Sequence, residues 1–214
     1  MIDKEKIFKY RVRLSKNAGS VTHHEKRRVL RSALEQSGLP CALSKGGARF
    51  SLGPGAEQDE ASLCEYVDIC LTQPRPVSEI KTKIAACLKG GFNVEEVKEV
   101  PFGLASVEVL AAYAKYIIKG VKAADKPLSA DKACIEVLHG NGIRQEVSLK
   151  PFIYSINKIS VDEVEIIIKL DALRSYGLGQ MLSALPGLEV RGDGLLAKRA
   201  ALLWQYPGGG LEPL

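Results

Sequence analysis

In Phe8-Lys9-Tyr10-Arg11-Val12-Arg13-Leu14 every second residue is apolar and each residue between is a cation. A period of two puts the apolar side chains on one face of a strand and the cations on the other, so the segment must lie along the side of a core. The next stretch changes period. Residues 22 to 37 place Val29, Leu30, Ala33, Leu34 and Ser37 on one side of a helix, which ends at Gly38 ahead of Pro40. An extended segment over 41 to 44 and 49 to 52, turned at Gly46-Gly47, precedes the polar loop from Gly53 to Glu60. Cys64 to Leu71 then alternates as a strand. Residues 77 to 89 carry Ile80, Ile84, Cys87 and Leu88 at helical spacing and stop at Gly90-Gly91, and Phe92 to Val100 alternates again. The order β-α-β-β-α-β within roughly 100 residues is the split pattern of a ferredoxin-like domain.

The second half predicts a looser α+β repeat of similar plan. Tyr113 to Ile118 reads as a strand and Pro127 to Cys134 as a short helix. Ile135 to Leu138 and Arg144 to Leu149 flank His139-Gly140-Asn141-Gly142 as a hairpin. The run Ile166-Ile167-Ile168 within 161 to 170 suits a buried strand, Leu173 to Leu185 a helix, and Leu188 to Tyr206 one or two strands around Gly192-Asp193-Gly194. Pro101, Gly103 and Ser106 interrupt the pattern, which predicts two small α+β domains at 1–103 and 104–206, followed by a flexible tail at 207–214.

With 214 residues and 46% hydrophobic side chains, the chain has material for one sizeable core or two small ones. Its five cysteines form no CxxC pair and no cluster motif, a pattern that fits reduced thiols serving as small packing residues. Met1-Ile2-Asp3-Lys4-Glu5-Lys6 does not read as a signal peptide and no apolar run reaches membrane-spanning length, so a cytoplasmic protein is expected. Neither a P-loop nor a dinucleotide loop is present: Gly177-Leu178-Gly179 and Gly192-Asp193-Gly194 lack the strand context and the third glycine. No cofactor and no metal are expected.

The chemistry that the residues do offer is concentrated in Gly19 to Pro40. Thr22 and Glu25 have the spacing of a capping box. His23 and His24 are adjacent and diverge by about 100 degrees on a helix, so they cannot share one metal ion. As a catalytic set, His23 would work with Glu25 or Asp68, histidine being the usual proton carrier near neutral pH. As a binding set, His24, Arg27, Arg28 and Arg31 make one stripe beside a helix N-terminus, where anions are favoured. Lys45 and Arg49 in the glycine turn, with Lys9, Arg11 and Arg13 on an open sheet face, would extend it. A net charge of +5 permits an acidic partner such as RNA, held by its backbone because Tyr66 is the lone ring interleaved with these cations. Cys64, Cys70 and His139 read as inert.

Thr22-His23-His24-Glu25, Arg28, Gly38-Leu39-Pro40, Ser44-Lys45-Gly46 and Glu65-Tyr66-Val67-Asp68-Ile69, in that order, resemble the N-terminal part of the radical-SAM-linked family, an uncharacterised bacterial domain. Its members show Ser-His-Leu-Asp, Gly-Leu-Pro, Ser-Gln-Gly-Phe-Asn-Pro-His-Pro and Glu-Tyr-Leu-Asp at the matching places, and Lys150-Pro151-Phe152 stands where they have Arg-Pro-Tyr. The loop after Gly46-Gly47 departs from that pattern: it is shorter and lacks the second histidine. The resemblance implies a protein fused to, or encoded beside, radical S-adenosylmethionine enzymes, often near ribosome and RNA-processing genes. The combined expectation is a non-enzymatic accessory protein that binds RNA, or an RNA-derived substrate, for a partner radical enzyme. The alternatives are an enzyme acting on a nucleotide-like substrate through His23, or a protein-interaction module docking a partner through Tyr66.

Overall fold

β1 (Phe8–Lys16) keeps the alternation of its sequence, with Tyr10, Val12 and Leu14 pointing into a core, yet Lys9, Arg11, Ser15 and Lys16 on or near its other face are buried too. The computed structural model describes residues 6–19, 21, 23–57, 60–124, 128–138, 140, 143–190 and 196–214, without the side chains of His23 and His24. The capping residue Thr22, the turn residues His139, Asn141 and Gly142, and the Gly192-Asp193-Gly194 turn lie outside that description. The architecture is mixed α+β, in two compact units at 1–111 and 112–214.

In the first unit β1 is followed by α1 (His23–Gln36), a tight hairpin of β2 (Leu43–Ser44) and β3 (Gly47–Ala48), β4 (Phe50–Leu52), β5 (Ala61–Leu71), α2 (Val77–Cys87), β6 (Phe92–Val100) and α3 (Val107–Leu110). The sheet runs β4-β5-β1-β6 with every pair antiparallel. Leu30 and Leu34 of α1 and Ile80 and Ile84 of α2 join Tyr10, Val12, Leu14, Val67, Ile69, Leu71, Val94 and Val97 in one apolar cluster, so both helices cover the same side of the sheet. Apolar burial of this kind is the main force holding the unit together.

The opposite side was expected to be open. Instead, residues 101–110 lie across it: Lys9 Nζ donates to Leu104 O (2.6 Å), Arg11 Nη2 donates to Ala105 O (3.1 Å), and Val107 is buried against Gly53 and Tyr66. The unit boundary therefore falls at Ala111 and not at 103, because these residues satisfy the cations of β1.

The second unit contains β7 (Tyr113–Lys119), β8 (Val121–Ala123), the hairpin β9 (Cys134–Leu138) and β10 (Arg144–Ser148), a short 3-10 turn at Lys150–Phe152, β11 (Ile153–Lys158), β12 (Glu163–Lys169), α4 (Leu170–Tyr176), α5 (Leu178–Ser183), β13 (Leu188–Val190), β14 (Leu196–Gln205) and β15 (Leu211–Pro213). Its sheet runs β11-β12-β7-β14-β15, again all antiparallel. Numbered by appearance along each unit, the main strands have the same order, second-third-first-fourth: β4-β5-β1-β6 in one and β11-β12-β7-β14 in the other. Where the first unit has α1, the second has β8 and the β9–β10 hairpin. The helix expected between 127 and 134 is not found over the described residues 128–133. The helix expected at 173–185 is two helices broken at Gly177, whose φ of +71° only glycine adopts easily. The expected flexible tail contributes β15, pairing Leu211–Pro213 with Leu203–Gln205.

Candidate nucleic-acid interface

Lys26 decides how α1 sits. It lies in register with Leu30, Ala33, Leu34 and Ser37, the buried stripe of the helix, and is 2% exposed. Its ammonium donates to Glu65 Oε2 of β5, and Glu65 Oε1 accepts from Ala56 N at 3.2 Å. Lys16 donates to Glu57 O, and Glu60 Oε2 accepts from Glu57 N at 3.1 Å. The Lys26–Glu65 ion pair, together with the bonds that Lys16 and Glu60 make to the backbone of Glu57, thus ties the start of α1, the end of β1 and the loop 53–57 into one buried polar network. A charge removed from water is tolerated only when paired and hydrogen-bonded. None of the four was expected from sequence, since a lysine beside arginines on a helix reads as solvated.

With Lys26 turned inward, the next two residues rotate by about 100 degrees each and must face out. Arg27 and Arg28 are exposed. Arg28 shares a groove of about 260 Å³ with Lys89, between α1 and the end of α2. Arg31, one turn on from Arg27, lies with its guanidinium over the Phe50 ring at 5.9 Å and beside Gly46 of the hairpin turn, which brings exposed Lys45 next to it. That turn is tightly seated: Gly47 has φ +102°, and a Cβ there would come within 2.6 Å of Glu35 Oε1. Among the described residues Arg27, Arg28, Lys45 and Lys89 make no ion pair. Lys89, Arg28, Arg27, Arg31 and Lys45 therefore form a basic strip without ion pairs, with the Glu35 carboxylate at its edge beside Gly47.

The family model for uncharacterized proteins conserved in bacteria (DUF2344) matches residues 9–181, from Lys9 in β1 to Met181 in α5. The chain belongs to this family. No curated protein matches it. As a DUF2344 chain it carries its candidate residues in three separate settings. The strip just described takes in Arg27, Arg28, Arg31 and Lys45; His23, His24 and Glu25 stand on the first turn of α1, with Glu25 half-buried and engaged and the two histidine side chains outside the described residues; and Asp68 and Arg49 form the third.

Asp68 and Arg49 belong to the opposite side of the sheet. Asp68 stands directly across from Arg11 in the β1–β5 ladder and accepts both Arg11 Nε (2.8 Å) and Arg11 Nη2 (3.0 Å), with Lys9 Nζ at 3.2 Å. It is 2% exposed, and its two cations occupy it as a structural counter-ion. Arg49 extends over the Phe102 ring at 5.7 Å, away from α1. Lys9 and Arg11 are likewise unavailable to the strip, and Arg13 pairs with Glu96 at 3.4 Å. Tyr66, expected to present a docking ring, is buried, which pushes its phenol up to about 12, with Cys64 adding to the shift and Arg13 opposing it. Burial also raises the Cys70 thiol, with Arg49 and Lys9 pulling the other way, so it stays protonated near neutral pH. All five cysteines are free thiols. Among the described residues no group of three His, Cys, Asp or Glu could hold a metal ion, and no helix is long and apolar enough to cross a membrane.

Proposed function

We propose that this DUF2344 chain is a cytoplasmic accessory protein that binds RNA, or an RNA-derived substrate, along the outer face of α1. The observation that carries the reading is the unpaired state of Arg27, Arg28, Lys45 and Lys89 in a unit whose buried cations Lys9, Arg11, Lys16 and Lys26 are all engaged. Several cations left without ion-pair partners on one surface are the electrostatic footprint of a polyanion partner. The strip offers ammonium and guanidinium groups with a single covered ring, Phe50, so contacts go to phosphates and not to base edges. The strand orders of both units support reading each as a variant of the ferredoxin-like plan, the second with its first helix replaced. The sequence resemblance supplies the partner, a radical S-adenosylmethionine enzyme to which the bound RNA is presented.

The test compares transfer RNA binding by the unmodified chain and by the Arg27→Glu/Arg28→Glu/Arg31→Glu variant at one low salt concentration. The proposal expects saturable binding that the variant loses while circular dichroism stays unchanged. Equal affinity of both proteins would refute it.

A further inference from the structure

The side of the first unit's sheet away from α1 carries a second concave site that the RNA reading does not use. It has a volume of about 190 Å³ and is lined by Lys9, Arg49, Phe50, Ser51, Asp68, Cys70 and Phe102. Lys9, Arg11 and Arg49 bring three positive charges against the single negative charge of Asp68, leaving a surplus of two. Asp68 is engaged by Arg11 through two nitrogens and by Lys9, and the other acceptors at these two cations are the neutral carbonyls of Leu104 and Ala105. At the mouth, the Arg49 guanidinium and the Ser51 hydroxyl make no hydrogen bond to the described residues. Phe102, 52% exposed, walls the rim.

The geometry points to a binding pocket for the phosphate monoester of a small molecule: the phosphoryl group meets Arg49, Lys9 and Ser51, and the body of the ligand lies against Phe102. A phosphate monoester carries about −1.5 to −2 charges at neutral pH and matches the surplus, whereas a carboxylate would leave part of it unbalanced. Guanidinium, ammonium and hydroxyl donors are the usual partners of phosphoryl oxygens. The volume lies below the roughly 300 Å³ at which drug-sized sites begin, so the ligand is small. Long RNA is held on the other side of the sheet, and this site stands or falls independently of it.

The experiment is isothermal titration of the full chain with inorganic phosphate at constant ionic strength, repeated with Arg49→Ala, with Ser51→Ala and with Arg27→Glu/Arg28→Glu. Saturable one-to-one binding is expected, weakened about tenfold or more by Arg49→Ala. Ser51→Ala, which leaves every charge in place, weakens it by a smaller factor, and the α1 variant leaves it unchanged. Circular dichroism checks that each variant is folded. Absence of saturable phosphate binding, or binding that survives Arg49→Ala, overturns the inference. So does loss of phosphate binding in the α1 variant, or a fall in transfer RNA affinity on Arg49→Ala as large as the fall in phosphate affinity, which would give the pocket to an RNA backbone.

Discussion

At the scale of single residues, the first unit is organised around charges removed from water. Lys26 and Glu65 are each nearly inaccessible, and truncating one strands the other. Lys26→Met is expected to lower unfolding stability by about 3–5 kcal/mol in urea titrations, because Glu65 then keeps its burial without its cation. Adding Glu65→Leu should recover part of that loss, which a cost arising from helix propensity alone would not allow. Tyr66 gives a second handle. Its folded pKa is raised above an unfolded value near 10 by burial, so its contribution is fully present below about pH 10 and disappears as pH rises through about 12. Denaturation series between pH 9 and 12 should show a steeper decline for the unmodified chain than for Tyr66→Phe. Parallel curves would mean that the phenol is not desolvated in the folded state.

At the scale of elements, the decisive contact is between the 101–110 segment and the sheet. Gly53 allows it: a Cβ there would lie 2.9 Å from Val107 Cγ1 and 3.3 Å from Tyr66 Cβ. Gly53→Ala is expected to cost about 1–3 kcal/mol by overpacking. It should also speed hydrogen exchange at Val109, Leu110 and Ala111, whose amides close α3 onto Ser106 and Val107. Unchanged exchange there would mean that α3 does not rest on Gly53. Period accounts for which elements were legible in the sequence. β1, β6 and α2 have clean alternation or helical spacing, β5 alternates from Cys64 although it begins at Ala61, and β12 carries a buried apolar run, so their places follow from the sequence. The stripe on α1 was legible only from Val29 onward, because Lys26 occupies an apolar register with a charge, and no local pattern announces its partner Glu65 in a distant strand. The covering of Lys9 and Arg11 was illegible for the same reason: their acceptors at 104 and 105 are backbone carbonyls, which leave no mark in side-chain sequence. β11 was missed because Tyr154, Ser155 and Asn157 dilute its apolar pattern, and β15 because Pro207 and three glycines precede it.

At the scale of the whole molecule, the two units share a strand order, yet the charged site is confined to the first, where α1 takes the place that β8 and a hairpin hold in the second. The inward Lys26 and the outward Arg27 and Arg28 are consequences of one helix rotation, so the buried network and the basic strip are coupled. The claim that this strip is the working surface is tested most directly by the salt dependence of transfer RNA binding, read by fluorescence anisotropy for the unmodified chain and for the α1 charge-reversal variant. Phosphate contacts release counterions, and log K falls with log salt by about 0.7 to 0.9 per phosphate neutralised. The account predicts saturable binding whose slope corresponds to several phosphates, with binding lost in the Arg27→Glu/Arg28→Glu/Arg31→Glu variant. Absence of binding at low salt, or a slope that the variant leaves unchanged, would contradict it.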